Sequence, residues 1–267
     1  MTPKEWNWKA KDRATGGLLY ESGNWGDFLK LLWLTAVVQW KSHRGSLEYY
    51  DPFAGDVSYP LGKKTAARLS AANLEYFDAI HDEYVKNLRW PSSAAAVRPL
   101  FTGPAMVWEK DDARRANWQK GQDVTGADGV ASGWELLEKQ TTGEAAVWLL
   151  DPYDILAEWR EWLPLILERA VTSTVVLYIF NRSGKNDEAF REYRAFRKAV
   201  EDGRGALPKR LGRAAADAFL PKHYHEMLFL PCVTDVETPG FTDLTEELAR
   251  RTFALQAAQA RAAVFEE

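Results

Sequence analysis

Two acidic residues stand where an enzyme built on a sheet would use them. Asp51 ends the run Leu47 to Tyr50 and is followed by a turn of Pro52, Phe53, Ala54 and Gly55. Asp151 ends the apolar run Ala145 to Leu150, with Pro152, Tyr153 and Asp154 behind it. In open α/β sheets ligands bind beyond the carboxyl ends of the strands, so an acid there, followed by a tight turn, marks a nucleotide-contacting corner. Two such corners, about a hundred residues apart in the chain, are what a cofactor site and a substrate site on one sheet require. Metal chemistry has less to stand on. His223 and His225 share one strand face ahead of Cys232, but no Cys-x-x-Cys or His-Glu-x-x-His spacing accompanies them, and no metal is expected.

The elements that must carry these corners follow from periodicity. Asn24 is a suitable N-cap for a helix over about Trp25 to Trp40, with Asp27 at the third position and Phe28, Leu29, Leu31, Leu32 and Trp33 burying much of its circumference. After the first strand, Leu47 to Tyr50, the pattern predicts a helix over about Lys63 to Trp90 and a connection at Pro91 to Ala96. A second strand is expected at Val97 to Phe101, held to an edge by Pro99. Helical stretches follow at Ala113 to Trp118 and around Trp134 to Glu138, with a turn at Ala127-Asp-Gly129 between them.

Beyond the strand at 145 to 150, Ile155 to Ala170 reads as an amphipathic helix kinked by Pro164. Thr172 to Phe180 has the continuous apolar run of a strand covered on both faces. A charged helix over Asn186 to Asp202, a strand at Tyr224 to Leu230 and an Ala-rich helix from Thr242 to Phe265 complete the chain. Strands alternating with helices predict an α/β fold, a mostly parallel sheet with helices on both faces and a helical insertion at about 63 to 96. Residues 1 to 19 lack periodicity and read as an N-terminal arm ahead of one domain over 20 to 267.

Composition narrows the classes. With 267 residues, 46% of them hydrophobic, the chain can bury a real core. A net charge of -4 excludes a globally basic nucleic-acid coat and leaves room for a local patch. Twelve tryptophans are a heavy load, suited to core seams and, where exposed, to base stacking. The single cysteine excludes an intrachain disulfide and fits a reducing compartment. No stretch approaches the roughly 18 apolar residues of a membrane span, and the first residues lack the apolar core of a secretion signal. A cytoplasmic protein is the expectation.

Three stretches carry a resemblance to a known family: Ser22-Gly-Asn-Trp-Gly-Asp-Phe-Leu-Lys30, Asp51-Pro-Phe-Ala-Gly55 with Tyr59-Pro-Leu-Gly62, and Leu150-Asp-Pro-Tyr153. In order and spacing they resemble the N-terminal motif, the cofactor loop and the catalytic Asp-Pro-Pro-Tyr motif of the bacterial 23S ribosomal RNA adenine-N6 methyltransferases, which have the Rossmann-like S-adenosylmethionine-dependent fold. The likeness covers about residues 20 to 62 and 145 to 182. Departures are plain: Asp56-Val57-Ser58 stands where the family has Ala-Gly-Arg, Trp25 and Phe53 replace histidines, and one proline of the catalytic motif is missing.

The resemblance implies S-adenosylmethionine as cofactor, RNA as partner and methyl transfer to the N6 amine of adenine, with ribosomal RNA as substrate. It places Asp151, Pro152 and Tyr153 in catalysis: the carboxylate accepts an amine N–H, the proline fixes the carbonyl geometry and the ring stacks on a flipped base. It places Lys30 on the cofactor's carboxylate, Asp51, Phe53 and Gly55 along its amino-acid end and Asp128 on its adenine amine; the family's Glu-Leu-His-Pro segment, whose acid holds the ribose, is not recognisable, and Glu109 in Val107-Trp-Glu109 is the best substitute. Arg204, Lys209, Arg210 and Arg213 form the best local basic patch for RNA phosphates. Simpler readings stay open for each: a helix-capping Asp-Pro turn, a solvated lysine, an unliganded Asp-Gly turn, a solvated basic surface. A degenerate fold that binds RNA, a nucleotide or a protein without catalysis is the rival to an enzyme, and methylation of DNA adenine is a third reading.

Overall fold

A computed structural model describes residues 24–72, 76, 78–119, 124–126, 129–152, 155–180, 187–204 and 225–264. The first of these, Asn24, starts helix α1 (Trp25–Ser42): its side-chain oxygen accepts the N–H groups of Gly26 at 2.8 Å and Asp27 at 3.0 Å. That satisfies two of the donors a helix leaves open at its start. There follow β1 (Glu48–Asp51), β2 (Ser58–Pro60), α2 (Lys63–Ala72), α3 (Asp78–Glu83), β3 (Arg89–Pro91), α4 (Ser93–Val97), β4 (Ala105–Val107), α5 (Asp112–Gln119) and β5 (Thr125–Gly126). The second half holds α6 (Gly133–Lys139), β6 (Ala146–Leu150), α7 (Ile155–Thr172), β7 (Thr174–Phe180), α8 (Asp187–Arg204), β8 (His225–Leu230), α9 (Val233–Val236) and α10 (Phe241–Val264).

The main sheet has the order β5-β4-β1-β6-β7-β8, parallel throughout except for β8, which runs antiparallel to β7. Alternate side chains sort to opposite faces, as a two-residue period demands. Tyr49, Val147, Leu149 and Val176 face a core built with α1 and α10, while Tyr50, Trp148, Leu150 and Leu177 face one built with α6, α7 and α8. This is the Rossmann-like α/β arrangement expected. Most tryptophans fill it: Trp33, Trp90, Trp118 and Trp148 are buried, and no described tryptophan is exposed.

The structure corrects the reading of residues 63 to 107. The expected long helix is divided into α2, α3 and a short 3-10 turn, and Trp90 lies in β3, paired with Tyr59 of β2. Leu88, at φ 53°, occupies the left-handed region and turns the chain out of its helical course. The expected strand at 97 to 101 is instead α4 and a 3-10 turn. Ser92 caps α4 by accepting the Ala95 N–H at 3.2 Å, and three alanines favour the helix. The second strand of the sheet in sequence is β4, a few residues later. In α7 the backbone breaks at Glu158 (φ -128°, ψ 16°), six residues ahead of Pro164.

A buried ion pair ties the amino-terminal edge of the sheet together. Lys41 of α1 donates to Asp235 Oδ1 at 2.6 Å and to the Glu144 carbonyl at 2.7 Å, and Asp235 accepts the Thr174 hydroxyl. Removing one partner of such a pair leaves an uncompensated buried charge, so Lys41→Ala should lower the unfolding free energy by about 3–5 kcal/mol. Urea denaturation checks this, and a loss below about 1 kcal/mol would reduce the pair to the worth of a surface contact.

Candidate functional site

The strand order reverses between β1 and β6, which places the topological switch point, where open α/β sheets bind ligands, between their carboxyl ends. Asp51 is the last residue of β1, and Asp151 follows the last residue of β6. The two acids foreseen as neighbouring corners therefore flank the same switch point. Glu109 lies two residues beyond β4, the next strand outward, so three adjacent parallel strands end in an acid.

Asp51 is 1% exposed. Its Oδ1 accepts the Phe53 N–H at 3.2 Å and its Oδ2 the Tyr49 hydroxyl at 3.3 Å. Burial is the main force on its carboxyl, which is pushed up to about 7, with the negative charge of Asp151 adding to the effect. The Phe53 N–H, the Lys30 ammonium and the Tyr49 hydroxyl act the other way.

Lys30 enters from the first turns of α1, a helix that runs along one face of the sheet from this end to the other. Its ammonium donates to Asp151 Oδ2 at 2.5 Å, lies 3.7 Å from Asp27 Oδ1 and sits 5.0 Å above the Tyr178 ring. Burial works against its charge, but Asp151 and Asp27 more than offset this and hold it above the ordinary lysine value. Burial likewise raises the Asp151 carboxyl against the pull of Lys30. Asp27, placed at the helix start by its capping pattern, thus belongs to the charge cluster as well.

The turn after Asp51 is tied down on several sides. Gly55 has φ +68°, its carbonyl accepts the Trp118 indole N–H at 3.0 Å, and Asn117 donates to Asp56 Oδ1 at 3.1 Å. A Cβ on Gly55 would fall on the Tyr59 hydroxyl. The room left by the missing side chain is thus taken by Tyr59 of the same chain.

The sequence-derived site residues divide accordingly. Lys30, Asp51, Phe53, Gly55, Asp151 and Pro152 lie at the crevice or in its loops, with the Phe53 ring edge-on to Trp134 at 4.9 Å. Lys30 is held by Asp151, a pairing the sequence did not indicate. Glu109 is 9% exposed and accepts the Asp111 N–H at 2.8 Å. Tyr153, Asp128, Lys209, Arg210, Arg213, His223 and the side chain of Arg204 lie outside the described residues. Sequence reasoning gave no part to Tyr49 or Tyr178 and named Tyr59 only as the start of the motif Tyr59-Pro-Leu-Gly62. Tyr49 could have been found from its two-residue offset to Asp51, which puts both on one strand face.

No family model matches the chain, and no curated protein does. Among solved structures it is similar to the crystal structure of protein LPL1258 from Legionella pneumophila str. Philadelphia 1, whose family model is DUF519. The two share 14% identity with a TM-score of 0.62, over 85% of this chain and 91% of that one. At this identity the likeness concerns the fold. It extends over nearly the whole α/β unit, an architecture compatible with nucleotide or cofactor binding.

The raised Asp51 carboxyl has a signed consequence. Between its ordinary value of 3.8 and about 7, the folded state keeps a proton that the unfolded chain releases. Stability therefore falls as pH rises through that window and stays at the lower level above it. Asp51→Asn removes the cost, so its gain in unfolding free energy at pH 8 should exceed its gain at pH 5 by about 2–3 kcal/mol. Urea denaturation at the two pH values measures the difference, and an equal effect at both would mean that Asp51 does not titrate in this range.

Proposed function

We propose that the chain is an S-adenosylmethionine-dependent methyltransferase acting on the N6 amine of adenine in RNA, with ribosomal RNA as the expected substrate. The observation that supports this most is the placement of Asp51 and Asp151 on either side of the switch point. For the nucleoside half of the cofactor the chain offers two acids: Glu109, two residues beyond β4, for a ribose diol, and Asp128, outside the described residues, for an adenine amine. At the amino-acid half Lys30 is the cation for a carboxylate, and it is at present engaged by Asp151.

Bound S-adenosylmethionine supplies an electrophilic methyl group. The chain's own task is then positional. Asp151 accepts one N–H of the substrate amine, Pro152 fixes the course of the main chain beside it, and Tyr153 stacks on the base. Asp51 and the Gly55 turn border the amino-acid end, with Phe53 closing the loop against Trp134. Arg204, Lys209, Arg210 and Arg213 hold phosphates, a sequence-independent task.

A second reading, a fold that binds RNA, a nucleotide or a protein without catalysis, is favoured by the Lys30 clamp on Asp151 and by Tyr59 filling the room at Gly55. Calorimetric titration with S-adenosylmethionine separates the two. Heat of binding in the micromolar range is expected, and none at millimolar ligand would favour the non-catalytic reading. RNA from cells carrying the gene should contain an N6-methyladenosine that is lost on deletion, and Asp151→Ala should fail to restore it while still binding the cofactor. Mass spectrometry of the RNA reads this out, and restoration by the variant would remove Asp151 from the mechanism.

A further inference from the structure

Tyr59 stands on β2 with its hydroxyl turned back onto the loop it follows. The oxygen accepts the Asp56 N–H at 2.9 Å and fills the space beside Gly55 that a Cβ would occupy. The charges of Lys30, Arg114 and Glu109 all act on this hydroxyl, while burial raises its titration above the ordinary tyrosine value. Its partner Asp56 follows Gly55 directly, in the turn that leads away from Asp51. A backbone N–H beside a residue without Cβ is a ready acceptor site, because an oxygen can approach the main chain closely there. Here the chain supplies that oxygen itself.

We infer that Tyr59 is a displaceable internal ligand: its hydroxyl stands in for a carboxylate oxygen at the Gly55–Asp56 turn, and it must leave before a bound amino-acid group can take the Asp56 N–H. The inference rests on the cofactor reading given above. The element that carries Tyr59 suits such a movement. β2 has three residues and, among the described residues, pairs with β3 alone, and a two-stranded ribbon of this size has little stability of its own. The rest of the turn is held independently, through the Trp118 indole on the Gly55 carbonyl and the Asp56 carboxylate on the Val57 N–H at 2.8 Å. Departure of the hydroxyl therefore leaves the turn in shape with one donor open.

A tyrosine acting only as a structural cap would lower stability when removed and leave affinity alone. A displaceable one competes, so its removal strengthens binding by about the worth of the hydrogen bond that no longer has to be broken, roughly tenfold. The experiment titrates the parent chain and Tyr59→Phe with two probes, S-adenosylhomocysteine and 5′-methylthioadenosine, which share a nucleoside and differ in the amino-acid group. The expected result is a dissociation constant for S-adenosylhomocysteine about tenfold lower in Tyr59→Phe, with affinity for 5′-methylthioadenosine unchanged. Equal or weaker S-adenosylhomocysteine binding by the variant, or equal tightening for both probes, would overturn the inference and leave the cofactor reading intact. Binding of neither probe to either protein at millimolar concentration would overturn both.

Discussion

The crevice depends on taking three carboxyl groups and one ammonium out of water at the carboxyl ends of two neighbouring strands. Charges moved into a low-dielectric interior lose several kcal/mol of hydration each, and mutual attraction recovers this only where geometry is close. Lys30 meets that condition with Asp151 at 2.5 Å and less fully with Asp27 at 3.7 Å. Among the described residues no cation bonds to Asp51. It makes do with one main-chain N–H and one phenol, and its carboxyl is displaced to about 7 as a result. An apolar side chain in its place would carry no such cost.

The sheet makes the arrangement rigid enough to persist. β1 and β6 pair in register from Glu48 with Ala146 to Tyr50 with Trp148, and the Tyr50 and Trp148 rings stack at 4.4 Å on the face away from α1. Helix α1 is clamped in turn against α10, where the Trp33 indole donates to Thr252 at 2.9 Å and Arg251 reaches the Leu32 carbonyl at 3.0 Å. Lys30 lies two residues from Leu32 on that helix. Its reach to Asp151 thus depends on the α1–α10 contact as well as on the strand ends.

Legibility in the sequence followed the strength of local signals. α1, β6, β7 and α10 were readable because long apolar runs or a cap specify them, and Asp51 and Asp151 were readable because each closes such a run. The stretch from 73 to 107 was not. Its alternation of alanine, aromatic and charge suits a helix as well as a short ribbon, and the choice is made by pairing between Tyr59 and Trp90, a long-range contact that periodicity cannot register. The antiparallel course of β8 was likewise hidden, since direction within a sheet depends on connections and not on the strand's own residues. At the site, residue types told which groups could do chemistry but not which would pair with one another. The engagement of Lys30 by Asp151, across 121 positions of sequence, is a property of the folded chain.

The charge balance of the crevice carries one more implication. Among the described residues Lys30 is the cation that acts on both Asp51 and Asp151, so this pair of carboxyl groups holds an excess of negative charge that burial resists. Partial protonation of Asp51 near neutral pH relieves part of that excess. A positively charged group brought to the switch point would relieve it another way, by stabilising the ionised carboxylate and lowering its pKa, and would be bound more tightly as Asp51 gives up its proton. An anion would meet the opposite balance and would need Lys30 released from Asp151 before it could pair with it.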